Sequence, residues 1–321
     1  MRWVVYGAGA VGGVLGARLH EAGHDVVLVA RGEHRRALVE RGLTLRTPEG
    51  DRTLQVPTVG TAAELDLGGP TLVLLAVKSQ QTHAAVEDLV AVTPPEVPVA
   101  SLQNGVCNER TLLRFFADVY GVCVMMPTAH LEPGVVEQES HPVPGILDVG
   151  RCPGGVDATT RVVAEAFRSA GFVSQPREDI MAWKHRKLLA NLANAVQACC
   201  RPGPAAEELT ARARAEGAAV LRRAAVAVVG EEADRERRGD ILRSGGAGGR
   251  SGGSSWQSLR RRTGSIESDY LNGEVVLLGR LHGEPTPCNE LLRRTAVTMA
   301  REGAAPGSLD ARDLLATLGE R

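Results

Sequence analysis

Gly7-Ala8-Gly9-Ala10-Val11-Gly12 repeats glycine at the GxGxxG spacing that brings a backbone turn against a pyrophosphate. The first glycine permits the tight turn, the second lets the main chain approach the phosphates, and the third lets a helix pack closely on a strand. A helix opening at this point offers unpaired N–H groups and the positive end of its dipole to an anion. A strand precedes the motif and a helix follows it, within one unit of about thirty residues, which separates it from a glycine-rich turn that binds nothing. NAD-binding versions of this unit carry an acidic residue near the end of the second strand, on the ribose 2′-hydroxyl. Here that strand ends Ala30-Arg31-Gly32. A guanidinium suits a 2′-phosphate, so NADP(H) is the expected cofactor; the alternative is that Arg31 is a solvated strand-end charge.

Further polar residues occur where chemistry is plausible. Val77-Lys78-Ser79 and Gln103-Asn104-Gly105 each follow an apolar strand, and carboxyl ends of parallel strands are where open α/β sheets bind ligands. At about 100° per residue, Lys184, Lys187, Asn191 and Asn194 fall in one narrow stripe of a helix that is otherwise largely apolar. A row of polar groups on a mostly buried helix needs partners, and a ligand-lined cleft supplies them. A lysine there can protonate the alkoxide that develops as hydride reaches a carbonyl. The stripe alone fits a solvent-facing row equally well. Lys78 can likewise be a strand-end charge, Asn104 an Asn-Gly turn residue, Ser255 a helix cap, and Glu267 a surface carboxylate.

The elements that must position these groups form two sets. Residues 2–6, 25–30, 71–77, 98–103 and 121–126 read as strands alternating with helical stretches at 11–21, 32–42, 80–90 and 108–117. That alternation implies a Rossmann-like, mostly parallel, doubly wound α/β sheet. Segments 44–47 and 52–59 form a predicted hairpin about Pro48-Glu49-Gly50-Asp51, and 135–149 adds antiparallel extensions. From about Glu178 the pattern becomes all-helical, with runs at 205–230, 255–283 and 288–302. The expected division is a nucleotide-binding domain at 1–177 and a helical substrate domain at 178–321. The stretch 244–255 is glycine-rich and reads as a mobile loop that orders over substrate once NADPH is bound.

GAGAVGG, Val77-Lys78-Ser79, Gln103-Asn104-Gly105, and Glu267-Ser268-Asp269-Tyr270-Leu271-Asn272-Gly273 with Pro285-Thr286-Pro287 resemble, in order and spacing, the ketopantoate reductase family. The resemblance runs along nearly the whole chain, and the Glu267–Pro287 region is its most specific part. It implies NADPH-dependent reduction of 2-dehydropantoate to (R)-pantoate, the reductive step of pantothenate synthesis. Carried over by position, it implies that Lys187 is the catalytic lysine and Glu267 the catalytic acidic residue. Asn104 would contact cofactor and substrate, Lys78 would lie near the cofactor, and Asn191 and Ser255 would help bind substrate; Asn194, on the polar stripe one place from the family's second asparagine, is added to the substrate-binding set. The chain departs from the family pattern where Ser255-Trp256-Gln257-Ser258-Leu259 replaces Ser-Met-Leu-Gln-Asp, and where Ala195 stands for a second asparagine. Those departures keep open reduction of another 2-oxo acid, ketone or imine. A non-catalytic NADP(H) sensor is the third reading, and the presence of both Lys187 and Glu267 speaks against it.

Composition narrows the remaining classes. Across 321 residues, 37 Lys plus Arg against 38 Asp plus Glu give a formal charge of −1, which argues against a nucleic-acid or anionic-membrane partner. The small-molecule substrate is the expected partner, and a homodimer is an arrangement open to the chain. With 43% apolar and only 3% aromatic residues, the core must be built of Val, Leu and Ala. The six cysteines show no metal-ligand spacing and read as reduced space-fillers of a cytoplasmic protein; no metal is expected. Five glycines break the N-terminal apolar run, which suits a turn far better than a signal helix, and no run reaches the length expected of a bilayer span.

Overall fold

The structure, a computed structural model, describes residues 1–244 and 252–319. The chain separates into two compact units. The first comprises Met1–Asn104, Asn108–Lys184 and the segment beginning at Glu232; the second comprises Gly105–Cys107, His185–Glu231 and the later residues.

In the first unit a seven-stranded sheet runs, edge to edge, Ile146–Arg151, Val119–Met125, Val99–Ser101, Thr71–Leu75, Arg2–Tyr6, Asp25–Val29 and Thr58–Val59. Its pairings are parallel except that of Ile146–Arg151 with Val119–Met125. Strands buried on both faces read as continuous apolar runs rather than alternating ones, as TLVLL and VYGVCVM do. The period of two still sorts the side chains between faces. Trp3 and Val5 pack with Leu15, Leu28, Leu72 and Leu74 in one cluster. Val4 and Tyr6 pack with Val73, Leu75, Val86 and Leu112 in another. The predicted hairpin forms from Leu43–Thr47 and Gly50–Leu54, but its expected second arm is cut short, because Thr58–Val59 pairs in parallel with Asp25–Val29 in the seven-stranded sheet. The hairpin joins Val135–Gln138, parallel to Leu43–Thr47 rather than antiparallel as expected, and Thr128–Ala129 in a four-stranded sheet.

The second unit is helical among its described residues. Its core gathers Leu192, Val196, Leu209, Val275, Leu292 and Met299 from separate helices, with no aromatic residue among its buried members. The predicted run 255–283 is three elements: helix Ser254–Arg260, a 3₁₀ turn at Glu267–Tyr270, and helix Asn272–His282. Left-handed backbone at Arg262 (φ 51°) and Gly264 (φ 70°) ends the first of them. The predicted 108–117 helix stops at Leu112.

The division of the chain is not one cut along the sequence. The helix Ile180–Asn191 contributes Lys184 to the first unit and His185 onward to the second. The segment from Glu232 returns to the first unit for a visible reason. Arg237 donates to both oxygens of Asp148, at 2.8 and 2.6 Å, and Arg177 donates to the same carboxylate at 3.0 Å. Asp148 is buried, and the strand Leu242–Ser244 pairs with Ser140–Pro142. Most of the 244–255 stretch, residues 245–251, lies outside the described residues. No helix among the described residues is long and apolar enough to cross a membrane.

Candidate active site

The ends of four adjacent strands are in register. Tyr6 stands opposite Val29 on one side and Leu75 on the other, and Leu75 stands opposite Ser101. Gly7, Arg31, Lys78 and Asn104 therefore all follow the carboxyl edge of one contiguous stretch of sheet. The sheet order reverses between Arg2–Tyr6 and Thr71–Leu75, the place where doubly wound folds bind ligands.

The glycine turn fits a dinucleotide. Helix Ala10–Glu21 begins with Gly9 at its N-cap, without a side-chain cap, and its first backbone bond is Gly13 N–H to the Gly9 carbonyl at 2.6 Å. The N–H groups of the first turn lie outside the helical ladder, as they must. Gly7 has φ 104°, and a Cβ there would meet Val77 Cγ1 at 2.8 Å. A Cβ on Gly12 would stand 2.0 Å from the Gly7 carbonyl oxygen, whereas one on Gly9 would meet nothing within 4 Å. Gly7 and Gly12 thus shape the turn, and Gly9 leaves the open approach that a pyrophosphate requires. His34 braces the turn, a role the sequence did not reveal. Gly134 N–H donates to His34 Nδ1 at 2.9 Å, so Nε2 carries the proton and donates to the Ala8 carbonyl at 2.7 Å.

Arg31 occupies the N-cap position of helix Gly32–Arg41. It is exposed, but it is not simply solvated. Its guanidinium donates to Tyr6 Oη at 2.7 Å and reaches Asp88 at 3.5 Å, while Tyr6 Oη donates to Asp88 at 2.5 Å. Burial first, and then the bond to Asp88, push the Tyr6 phenol above its ordinary pKa, so it stays a neutral donor.

Lys78 and Asn104 sit on neighbouring turns stitched by buried polar groups. Ser79 Oγ donates to the Asn104 carbonyl at 3.3 Å, and Asn108 Nδ2 donates to the same oxygen at 3.1 Å. Gln103 Nε2 donates to the Val77 carbonyl at 3.0 Å and to Thr82 Oγ1 at 2.7 Å. Lys184 departs from the sequence expectation. It is 3% exposed, ion-paired with Glu109, and donates to the Gln103 carbonyl at 3.0 Å. It therefore belongs to a buried network rather than to a polar stripe offered to a ligand. Glu109 had no sequence signal, because a single acid beside Asn108 looks like an ordinary helix-start residue.

In the second unit Lys187, Asn191 and Asn194 are half-buried, and Glu267 is buried at the start of the turn Glu267–Tyr270. Helix Ala193–Cys199 packs on helix Ser254–Arg260. A Cβ on Gly253 would lie 3.5 Å from Asn194 Oδ1, which places Asn194 beside the start of the helix carrying Ser255. Ser255 does not cap that helix, whose N-cap is Gly253. It is buried with an unpartnered Oγ, as is Ser268 next to Glu267. Buried hydroxyls without partners are uncommon and call for an explanation such as a ligand. Asn272, in the Glu267–Gly273 signature, has a structural part: its amide donates to Asn289 Oδ1 at 3.0 Å, and Asn289 donates to the Ala213 carbonyl at 2.9 Å.

Comparison with known proteins finds relatives along both parts of the chain. A family model described as ketopantoate reductase PanE/ApbA matches residues 3–154, and one for its C-terminal part matches residues 179–299. The 2-dehydropantoate 2-reductase of Pyrococcus horikoshii is 33% identical over 60% of this chain and 62% of its own length. The chain thus aligns with about six-tenths of the length of the first curated relatives it matches. The enzyme of the same name from Caulobacter vibrioides is 30% identical over 90% of this chain and 95% of its own. Among solved structures, a PanE/ApbA family ketopantoate reductase from Ralstonia eutropha superposes with a TM-score of 0.80 at 29% identity, covering 94% of this chain and 99% of that one. D-mandelate dehydrogenase with NADH and anilino(oxo)acetate shares the fold, with a TM-score of 0.79 at 21% identity over 94% of this chain and 99% of that one. The motifs, the sheet edge and these matches coincide along the chain, which belongs to the ketopantoate reductase PanE/ApbA family.

Proposed function

We propose that this chain reduces a 2-oxo acid at the expense of NADPH, with 2-dehydropantoate as substrate and (R)-pantoate as product. The observation that carries the reading is the strand-end edge, where the glycine turn, Arg31, Lys78 and Asn104 follow four adjacent strands in register. The first unit is the nucleotide-binding part, and the second acts on the substrate. The N–H groups opening helix Ala10–Glu21 hold the pyrophosphate, and Arg31, preset by Tyr6 and Asp88, meets the 2′-phosphate. Bound NADPH supplies the hydride. Lys187 gives a proton to the carbonyl oxygen as charge develops on it. Glu267 accepts hydrogen bonds that orient the reacting groups, and Asn104 contacts both cofactor and substrate. Asn191, Asn194 and the unpartnered Ser255 hydroxyl donate to the substrate.

NADPH oxidation by the purified protein, followed with 2-dehydropantoate beside other 2-oxo acids, ketones and imines, tests the reading. The expected result is the highest kcat/KM with 2-dehydropantoate and a preference for NADPH over NADH. Preference for another 2-oxo acid would move the substrate and keep the chemistry. Cofactor binding without turnover of any carbonyl or imine would leave a sensor.

A further inference from the structure

We propose that the buried Glu109–Lys184 ion pair is a positioning device for Asn104; the inference rests on the reading above, in which Asn104 meets cofactor and substrate. Both peptide groups flanking the Asn104 Cα are anchored. The Gln103 carbonyl accepts from Lys184 Nζ at 3.0 Å, and the Asn104 carbonyl accepts from Asn108 Nδ2 at 3.1 Å and Ser79 Oγ at 3.3 Å. With both peptide planes held, the φ and ψ of Asn104 are fixed, and with them the direction in which its side chain leaves the backbone. The anchors are themselves locked. Thr82 Oγ1 accepts from Gln103 Nε2 at 2.7 Å and donates to Asn108 Oδ1 at 2.9 Å, and Asn108 Nδ2 also donates to Ser79 Oγ at 3.1 Å.

Stability alone does not account for the pair. Lys184 and Glu109 are 3% and 0% exposed, and the second carboxylate oxygen of Glu109 is buried with no hydrogen-bond partner. Desolvating two charges costs as much as their attraction returns, and well-packed apolar residues of like volume are often as stable. What an apolar pair cannot do is donate to the Gln103 carbonyl. Lys184 supplies that donor, and its contact with Glu109 keeps it aimed. Lys184 is thereby a positioning residue, acting on the reaction through Asn104.

The test compares Asn104→Ala, the double variant Lys184→Met/Glu109→Leu, and the triple variant combining them. Each is read by thermal midpoint, by the NADPH dissociation constant from titration calorimetry, and by kcat/KM. The double variant should keep the parent midpoint within a few degrees, yet weaken NADPH and lower kcat/KM by about tenfold or more, because small misplacements of a positioned group cost that much. In the triple variant the pair should add less than about a factor of two to the effect of Asn104→Ala, the non-additivity expected of groups acting through one another. Multiplying effects, or a double variant with parental affinity and kcat/KM, overturns the proposal. An inert Asn104→Ala also overturns it and locates the failure in the reading of Asn104 itself. Should the double variant not fold, Lys184→Met/Glu109→Gln, which keeps the shape of the carboxylate and still removes the donor to the Gln103 carbonyl, enters the same cycle with the same non-additivity expected.

Discussion

Lys184 and Lys187 share the helix Ile180–Asn191, yet one is sealed in an ion pair and the other is half-buried. The two should therefore fail differently when truncated. Lys187→Ala is expected to lower kcat by ~10²–10⁴-fold, the usual contribution of a general acid, and to leave the NADPH dissociation constant within a small factor. Near-normal turnover would remove it from the chemistry. Lys184→Met leaves the Glu109 carboxylate buried and alone, which typically costs about 3–5 kcal/mol, so a lowered midpoint in denaturant is its signature. Arg31→Asp should weaken NADPH far more than NADH, because losing a charge-assisted phosphate contact costs roughly 1.5–3 kcal/mol before repulsion is added. Equal losses for both cofactors would take Arg31 out of the specificity role. At this scale the glycine motif and Arg31 were legible in the sequence, since each carries its signal within a few neighbouring residues. Glu109, His34 and Asp88 were not. Their partners stand 75, 100 and 82 positions away at Lys184, Gly134 and Tyr6, and only the fold brings those pairs together.

The turn between Arg2–Tyr6 and Ala10–Glu21 shows how an element divides labour among identical residues. A methyl on Gly12 would stand 2.0 Å from the Gly7 carbonyl oxygen, whereas one on Gly9 meets nothing within 4 Å. Gly12→Ala must therefore push helix from strand, and a loss of about 3 kcal/mol of stability is expected. Gly9→Ala should fold to within about 1 kcal/mol of the parent and still bind NADPH poorly, because its methyl enters the space left for the phosphates. Paired denaturation and calorimetric titration separate the two outcomes; parental NADPH affinity in Gly9→Ala would mean that the dinucleotide does not approach there. Element types were readable where periodicity was strong, as in TLVLL and the helix after Gly9. Boundaries were not, because Arg262 adopts left-handed backbone that its residue type does not announce. The return of the segment from Glu232 to the first unit was equally hidden. Its helix Glu231–Arg238 buries no residue, and its anchor is the polar contact of Arg237 with Asp148.

At the scale of the whole molecule, the cysteines set an alkaline limit to stability. Burial pushes the Cys152 and Cys200 thiols up to about 11 and those of Cys199 and Cys288 up to about 12, against 9.0 ordinarily. A thiol whose pKa rises on folding keeps its proton in the native state at a pH where the unfolded chain has released it. Its effect on stability is therefore flat below about pH 8 and turns increasingly unfavourable as pH climbs through 9 toward 11–12. Between those limits each thiol costs about 1 kcal/mol per pH unit. Cys199, Cys200 and Cys288 all belong to the core of the second unit, whereas Cys152 belongs to the first. The second unit should consequently be the more alkali-sensitive. Urea denaturation at pH 8, 9 and 10, with alkylation and peptide mapping of the exposed thiols, should show Cys199, Cys200 and Cys288 becoming reactive at lower denaturant as pH rises, while Cys152 lags. Cys199→Ala should flatten that pH slope whatever it does to stability at pH 8. A slope unchanged by the substitution would mean that buried thiols do not set the limit, and that the Tyr6 and Tyr120 phenols, also raised by burial, are the groups to replace next.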